Sequence, residues 1–195
     1  MSMLNNRENR GNLIILSGPS AVGKGTVLRA LLEEYDEVCY SVSATTREPR
    51  EGEIDGVHYF FMSQDEFRAS IKNDEFIEWA KVHNNYYGTP RNYVEETLKS
   101  GKDVILEIDI QGARQVAESF SEGVFVFLAP PSMEELKSRI YKRGTETEDA
   151  IQTRMSNATK ELEEIDRYDY LIINDEVENA VDKLKSIIIA ERCKI

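Results

Sequence analysis

The sequence predicts an α/β fold in which helices cover both faces of a parallel sheet. Four apolar runs are continuous rather than alternating, which is typical of parallel strands that are buried on both sides. Helical patterns separate or follow these runs, and this alternation favours right-handed crossovers. The 195 residues suffice for one domain with small inserted lobes. The predicted strands are Leu13–Leu16, Val104–Ile108, Val124–Ala129 and Tyr170–Ile173, and the predicted core helices are Thr26–Glu34, Gly112–Ser119, Ser132–Tyr141 and Glu176–Arg192.

The junction of the first strand and the first helix has Walker A spacing and predicts a phosphate-binding loop. Glycine lets backbone N–H groups surround phosphate oxygens, the lysine reaches the terminal phosphates, and the helix N-terminus adds positive potential. A glycine-rich turn that binds nothing is the alternative. The hydroxyl that normally helps hold magnesium is missing at Gly25, and whether Thr26 replaces it stays open. The predicted loop comprises Gly18, Pro19, Ser20, Ala21, Val22, Gly23, Lys24, Gly25 and Thr26.

Two stretches interrupt the strand–helix rhythm and predict small lobes on the core. The second follows Pro130-Pro131, and Thr145 and Glu148 within it have capping-box spacing for a helix. We expect both lobes to close around two nucleotides and exclude water. The first stretch carries strand-like pieces at Tyr40–Ser43 and His58–Phe61 and helices near Gln64–Asn73 and Arg91–Ser100. The predicted division of a single domain 1–195 is a core at 11–40, 101–131 and 160–195, an inserted lobe at 41–100 and a lid at 132–159.

Composition limits the classes of partner. The chain has 24 Lys and Arg against 36 Asp and Glu, a formal charge of −12, so nucleic acid or an anionic membrane surface would be repelled. An anionic ligand must therefore meet locally clustered arginines. Cys39 and Cys193 lie far apart without metal-ligand spacing, which predicts neither a disulfide nor a zinc site. The polar N-terminal segment and the lack of an apolar run of about 18 residues predict a cytoplasmic protein.

Six ordered motifs point to one family. They read GPSAVGKGT at 18–26, SATTREPREGE at 43–53, FIEWA at 76–80, NYYGT at 85–89, IDIQG at 108–112 and APPS at 129–132. From about Gly11 to Glu191 the chain resembles the guanylate kinases, which are P-loop nucleoside monophosphate kinases that transfer a phosphoryl group from ATP to GMP. The family's loop usually has glycine where this chain has Ala21, so we expect a negative φ at that residue.

The resemblance implies a GMP site in the first lobe. Arg47 and Arg50 match the arginines that bind the GMP phosphate, and a guanidinium fork suits a phosphate group. Tyr59 and Tyr87 match further phosphate contacts, although core packing would also explain an aromatic side chain. A solvated loop with acidic partners is the alternative for the arginines.

Glu78 matches the carboxylate that reads guanine. Guanine presents N1–H and its exocyclic amine side by side, and an acceptor-only carboxylate fits this pair of donors. A lone Glu between apolar residues is otherwise a surface acid. The other guanine-side residues that the resemblance implies are Ser43, Thr89 and Asp109.

Two acids close the second apolar strand, where P-loop proteins place a carboxylate for Mg²⁺. Glu107 and Asp109 alternate along the strand and should face the same side. We expect one of them near the metal, with Thr26 as a further candidate ligand, and the other near the GMP base or the metal's water shell. Which acid has which task stays open, and simple solvation of a strand end is the alternative.

Three further arginines match family residues that clamp the transferring phosphates: Arg139, Arg143 and Arg154. Asn174 matches a contact to the adenine of ATP. The resemblance thus implies a cytoplasmic Mg²⁺-dependent ATP:GMP phosphotransferase that also accepts dGMP, as a monomer or a dimer. An inactive binding module of the same fold is one rival, but such modules usually lose the lysine or phosphate arginines that are present here. A kinase for another base is a second rival, and Glu78 argues against it.

Overall fold

The structure is a computed structural model, and it describes residues 10–82, 84–120, 122–142 and 148–194. Strands and helices alternate along most of the chain, as expected for an α/β fold. The elements in chain order are β1 (Leu13–Ser17), α1 (Lys24–Glu34), β2 (Val38–Tyr40), β3 (Ala44–Thr45), β4 (Phe60–Phe61), α2 (Gln64–Lys72), β5 (Phe76–Val82), β6 (Asn85–Pro90), α3 (Arg91–Lys99), β7 (Asp103–Glu107), α4 (Ile110–Ser119), β8 (Val124–Ala129), α5 (Met133–Lys142), α6 (Glu148–Leu162), β9 (Tyr170–Ile173) and α7 (Val177–Arg192).

Five strands form the predicted parallel sheet, in the order β2-β7-β1-β8-β9. Every residue of β1 and of β8 is buried, which explains why these strands read as continuous apolar runs. The four predicted strands are confirmed within one or two residues at their ends. The fifth, β2, was not predicted as part of this sheet, because the sequence places a strand-like piece at Tyr40–Ser43 instead and β2 has only three residues.

The chain divides into two compact units. One comprises Met1–Leu13, Glu37–Leu106 and Gln111–Gly123. It contains a second, four-stranded sheet in the order β4-β3-β6-β5, which packs on the buried Phe67 of α2. The Phe67 ring stacks on Phe76, with centroids 4.3 Å apart. A complete capping box between Ser63 and Glu66 fixes the start of α2 and so places Phe67 under the sheet.

A β-bulge interrupts the pairing of β5 with β6. Phe76 pairs with Pro90 and Trp79 pairs with Gly88, so two residues of β5 lie opposite the single residue Thr89. The two residues are Ile77 and Glu78. A bulge re-aims side chains locally, and here it does so at the acid that the sequence singled out.

The other unit comprises Ile14–Asp36, Glu107–Ile110 and Val124–Ile195. In it β1 pairs with β8 and β8 with β9, and α1 contacts α7. A separate apolar cluster joins α5 to α6 through Leu136, Ile140, Ile151 and Ala158. This unit therefore holds the turn from β1 into α1, which is the predicted phosphate loop.

Candidate active site

The loop between β1 and α1 has the tightly wound backbone of a phosphate-binding loop. Three residues in it have positive φ: Gly18 at 147°, Ala21 at 66° and Gly23 at 103°. A Cβ on Gly18 would overlap the carbonyl oxygen of Leu128, so this position requires glycine. The expectation of a negative φ at Ala21 was wrong, because the closed path of the loop overrides the local preference of alanine. A left-handed conformation costs a non-glycine residue about 1–2 kcal/mol.

Lys24 folds back into this loop. Its Nζ donates to the carbonyl oxygen of Gly18 at 2.7 Å and to that of Pro19 at 3.3 Å. The carbonyl oxygen of Gly23 accepts from the N–H groups of Thr26 and Val27, which begins α1 directly behind the lysine. An ammonium group and a helix N-terminus thus lie together, as anion binding requires.

Glu107, at the end of β7, faces the start of α1. A Cβ built on Gly25 would lie 3.4 Å from Oε2 of Glu107, so the carboxylate occupies the space beside the missing side chain. Burial raises the pKa of Glu107, and the positive charges of Lys24 and Arg29 act in the opposite direction. Strand β7 ends at Glu107, so the alternation that predicted a shared face does not extend to Asp109, which is exposed beyond it.

Glu161, which the sequence did not single out, also belongs to this site. Burial and the charge of Asp109 raise its pKa, whereas Lys24 and a hydrogen bond from the Ser20 N–H lower it. An acid in the last turn of α6, close to Glu163 and Glu164 in the sequence, gives no pattern that separates it from these neighbours. Lys24, which is positive, and Asp109, which is negative, therefore both act on the Glu161 carboxylate beside the loop.

Two predicted site residues hold the loop from the side. The carbonyl oxygen of Val22 accepts from Nδ2 of Asn174 at 2.8 Å and from Arg139 at 3.0 Å. Arg139 also donates to the carbonyl oxygen of Asn174 at 3.0 Å and to Glu135 at 2.9 Å. Both side chains therefore bond the backbone of the loop at the same carbonyl oxygen, that of Val22.

Of the other two arginines of the predicted lid, one lies within the described residues and one does not. Arg154 on α6 donates to Oγ of Ser20, an exposed loop residue, at 3.2 Å. Arg143 lies outside the described residues, as does Thr145 of the predicted capping box. The structure therefore brings Lys24, Arg139 and Arg154 to one loop.

A second cluster lies in the unit that contains the four-stranded sheet. Arg47 pairs with Glu53 at 2.8 Å, and its guanidinium carbon lies 5.4 Å from the centroid of the Tyr59 ring. The hydrogen bond to Glu53 raises the pKa of Arg47; burial acts in the opposite direction, and a hydrogen bond with Tyr87 raises the pKa further. The rings of Tyr59 and Tyr87 meet edge to face at 6.1 Å. Three of the predicted phosphate contacts are therefore neighbours.

Glu53 bonds both arginines that the sequence analysis assigned to a phosphate group, a contact that the sequence did not reveal. Its second oxygen accepts from the backbone N–H of Arg50 at 2.7 Å, while the side chain of Arg50 is exposed. The bond from Arg47, followed by that from Arg50, lowers the pKa of Glu53 to about 2. This carboxylate is thus ionised at neutral pH and holds the loop that carries both cations.

Glu78 is buried, with 7% of its surface exposed. Its Oε1 accepts from Oγ1 of Thr89 at 2.6 Å, across the bulge. A surface acid is therefore the wrong description of this residue. Ser43 is half-buried, and its carbonyl oxygen accepts from the N–H of Phe60 at 2.9 Å, next to β3.

Two kinds of feature are absent from the part of the chain that the structure describes. None of the described helices is long and apolar enough to cross a membrane. Within the same residues, no group of three or more His, Cys, Asp or Glu could hold a metal ion by itself.

The chain is similar to proteins of one named family over nearly its whole length. The family model described as guanylate kinase matches residues 10–191. The guanylate kinase of Desulfitobacterium hafniense is 56% identical over 188 residues, which are 96% of this chain and 94% of that protein. The guanylate kinase of Halalkalibacterium halodurans is 58% identical over 185 residues, 95% of this chain and 91% of that protein.

A solved structure agrees with the sequence comparison. The crystal structure of guanylate kinase from Anaplasma phagocytophilum superposes on this chain with a TM-score of 0.77 and 36% sequence identity. The superposition covers 95% of this chain and 88% of the Anaplasma chain. The chain therefore belongs to the guanylate kinase family.

Proposed function

We propose that this protein transfers the γ-phosphoryl group of ATP to GMP, giving ADP and GDP. The observation that carries the proposal is the buried carboxylate of Glu78, bonded to Thr89, in a chain that also keeps a lysine inside an intact phosphate loop. The first feature suits a guanine base and the second a nucleoside triphosphate.

The donor nucleotide is assigned to the loop that follows β1. The N–H groups of residues 18–26 and the Lys24 ammonium would bind the phosphates of ATP, the ammonium exchanging its carbonyl partners for phosphate oxygens. Arg139, Arg143 and Arg154 would add positive charge to the transferring group. Asn174 is assigned to the adenine side.

The acceptor is assigned to the cluster around Arg47. Arg47 and Arg50 would bind the GMP phosphate together with the hydroxyls of Tyr59 and Tyr87, since all four groups can donate hydrogen bonds. The base is assigned to Glu78. Ser43, Thr89 and Asp109 complete its surroundings in this proposal, and dGMP should serve because none of the assigned contacts requires the 2′-hydroxyl.

The residues beside Gly25 fit a magnesium ion bound with the nucleotide. Mg²⁺ keeps several waters and takes one or two carboxylates plus substrate phosphates, so a site without three clustered acids is the expected kind. The half-buried carboxylate of Glu107 faces the loop and would hold the ion directly or through water, with Asp109 and Thr26 as further candidates. When bound, the ion supplies charge neutralisation on the β- and γ-phosphates.

Transfer of this kind requires positioning and charge neutralisation more than acid–base chemistry. A phosphate oxygen of GMP is already a nucleophile, so no strong general base and no covalent intermediate are needed. Closure of the lobe 41–100 and the lid 132–159 over the core would exclude water, and this division of the chain remains part of the proposal.

The test is an ADP-release assay, coupled to an indicator reaction, across GMP, dGMP, AMP, CMP and UMP. We expect turnover with GMP and dGMP and at least ~10⁴-fold lower kcat/KM for the others, as expected for a site built to bond a substrate's donors. Equal turnover of AMP would refute the guanine assignment. Binding of GMP without ADP release would favour the inactive binding module.

A further inference from the structure

The side chain of Gln115 bonds the backbone at the edge of the second sheet. Strand β5 is an edge strand in the order β4-β3-β6-β5, so one side of its backbone faces away from β6. On that side the N–H of Trp79 donates to Oε1 of Gln115 at 3.1 Å, and Nε2 of Gln115 donates to the carbonyl oxygen of Trp79 at 2.9 Å. A primary amide can donate and accept at once, as a neighbouring strand does.

This contact lies directly beside the residue proposed to read guanine. Trp79 follows Glu78 and ends the bulge that begins after Phe76. A bulge leaves its extra residue outside the regular ladder, which weakens the hold of the neighbouring strand on the backbone there. On the inner side β6 packs tightly, since a Cβ on Gly88 would lie 3.0 Å from the carbonyl oxygen of Glu78. On the outer side, Gln115 supplies two hydrogen bonds to the backbone of Trp79.

The outer side of β5 at this point borders open space, so packing contributes little to fixing the backbone there. A cavity of about 280 Å³ adjoins β5, and its walls include Ile77, Trp79, Arg91 and Gln115. Packing therefore does not fix the outer side of the strand at this point. Two side chains bond the backbone here: Arg91 donates to the carbonyl oxygen of Phe76 at 3.0 Å, before the bulge, and Gln115 bonds Trp79 after it. Of the two, Gln115 acts on the residue directly next to Glu78.

We propose that Gln115 is a positioning residue for recognition of the guanine base, acting on Glu78 through the backbone of Trp79. The inference depends on the guanine assignment of Glu78 made above. Recognition groups must be held within about 0.5 Å of the productive geometry. If the strand were free to move, the hydrogen bonds from both guanine donors to Glu78 would be weaker. No sequence pattern indicates this role, because a glutamine on a polar helix face is not distinctive.

The test compares Gln115→Met, which keeps the length of the side chain and removes both hydrogen bonds, with Gln64→Met as the control. Gln64 is exposed on α2 in the same unit; its Nε2 lies 3.5 Å from the carbonyl oxygen of Asn84, and its Oε1 accepts from the exposed Arg68 at 3.3 Å. Glu78→Gln serves as the reference for loss of base recognition. Kinetics are measured with GMP and with IMP, which lacks the exocyclic amine, and with ATP varied.

For Gln115→Met we expect KM for GMP to rise about 5- to 10-fold, the order for two neutral hydrogen bonds that hold a recognition group. The preference for GMP over IMP should fall by a similar factor, and KM for ATP should change less than about 2-fold. Gln64→Met should leave all three values unchanged. A loss confined to the GMP side is a result that a merely structural role would not produce.

Amide hydrogen exchange supplies a readout that is independent of activity. By strand alternation, the N–H of Lys81 faces the same open edge two residues further on. We expect the Trp79 N–H to exchange at least about 10-fold more slowly than that of Lys81 in the wild-type chain and to lose this protection in Gln115→Met. Equal exchange of the two amides in the wild-type chain would overturn the inference, even if the variant did not fold.

The kinetic outcomes separate the two proposals. If Glu78→Gln abolishes the preference for GMP over IMP and Gln115→Met leaves it intact, the inference fails and the proposed function stands. If neither variant changes the preference, the assignment of Glu78 and the inference fail together. If Gln115→Met raises KM for GMP and for ATP equally, the role is structural and the inference is wrong.

Discussion

The two units of this protein build their candidate phosphate sites by different means. The loop before α1 is shaped by its backbone, with three positive φ angles and a lysine folded onto carbonyl oxygens. The cluster around Arg47 is made by side chains, which are held by an ion pair and by hydrogen bonds to Glu53. The first site thus depends on side chains that are small or missing, and the second on side chains that are present.

This difference predicts different responses to substitution. At the loop, an added or removed Cβ changes the conformation of the chain itself, and only Lys24 acts through a charged end. At the arginine cluster, each guanidinium or carboxylate can be removed while the backbone stays in place. The following predictions test this contrast.

The largest effect is expected at the one loop side chain that carries charge. Lys24→Ala should lower kcat by about 100-fold or more, because its ammonium would neutralise charge that develops on the transferring group. The free energy of unfolding should change little, since Lys24 is half-buried and its Nζ donates to carbonyl oxygens of the loop. Steady-state kinetics and urea unfolding measure the two quantities. Lys183→Ala, at an exposed lysine of α7, is the control, and equal losses in both variants would refute the assignment.

The acceptor arginines should act on one substrate only. Arg47→Met and Arg50→Met should each raise KM for GMP by about 10- to 100-fold, the order for a lost charge-assisted hydrogen bond, and leave KM for ATP nearly unchanged. Arg68→Met, on the exposed face of α2, provides the matched control. If KM for ATP rises as much as KM for GMP, these arginines belong to the donor side.

Glu53 should make the stability of its loop depend on pH. Its pKa falls from an ordinary 4.5 to about 2 in the folded chain, so the stabilisation is fully present above pH 4.5 and is lost as the pH falls toward 2. Unfolding followed by urea between pH 6 and pH 2.5 should show this loss in the wild-type chain and a smaller one in Glu53→Gln. Parallel curves for the two proteins would show that the ion pair with Arg47 contributes nothing.

The smallest effect tests the backbone side of the contrast. Ala21→Gly should raise the free energy of unfolding by about 0.5–1 kcal/mol, because glycine adopts a φ of 66° without the strain that alanine carries. Ala30→Gly, in the interior of α1, should lower it by a similar amount, since glycine weakens a helix. The midpoints of urea unfolding measure both changes in stability. A change of the same sign in both variants would argue against strain at Ala21.

The sequence predicted the features that depend on local pattern. The apolar strands β1, β7, β8 and β9 and the phosphate loop were recognised because continuous burial and glycine spacing are visible in a short window. The resemblance to the guanylate kinases is confirmed by the family match. It also suggested the residues proposed to bind the acceptor, which no local pattern gives and which stay a prediction.

What escaped prediction depends on contacts between distant segments. Strands β5 and β6 were not predicted, since the bulge at Glu78 breaks the alternation of β5 and pairing itself is non-local. Glu53, Gln115 and Glu161 act through partners that the fold brings to them. The sign of φ at Ala21 was wrong because the loop, not the residue, sets it.

Gln115 has a consequence for solubility as well as for positioning. An edge strand offers unpaired N–H and C=O groups to any other extended chain, and β5 also exposes part of Trp79 and Val82. By occupying both backbone groups of Trp79, the amide of Gln115 interrupts the row of sites that a second strand would need for continuous pairing. This glutamine is therefore expected to disfavour edge-to-edge pairing of β5 with other copies of the chain.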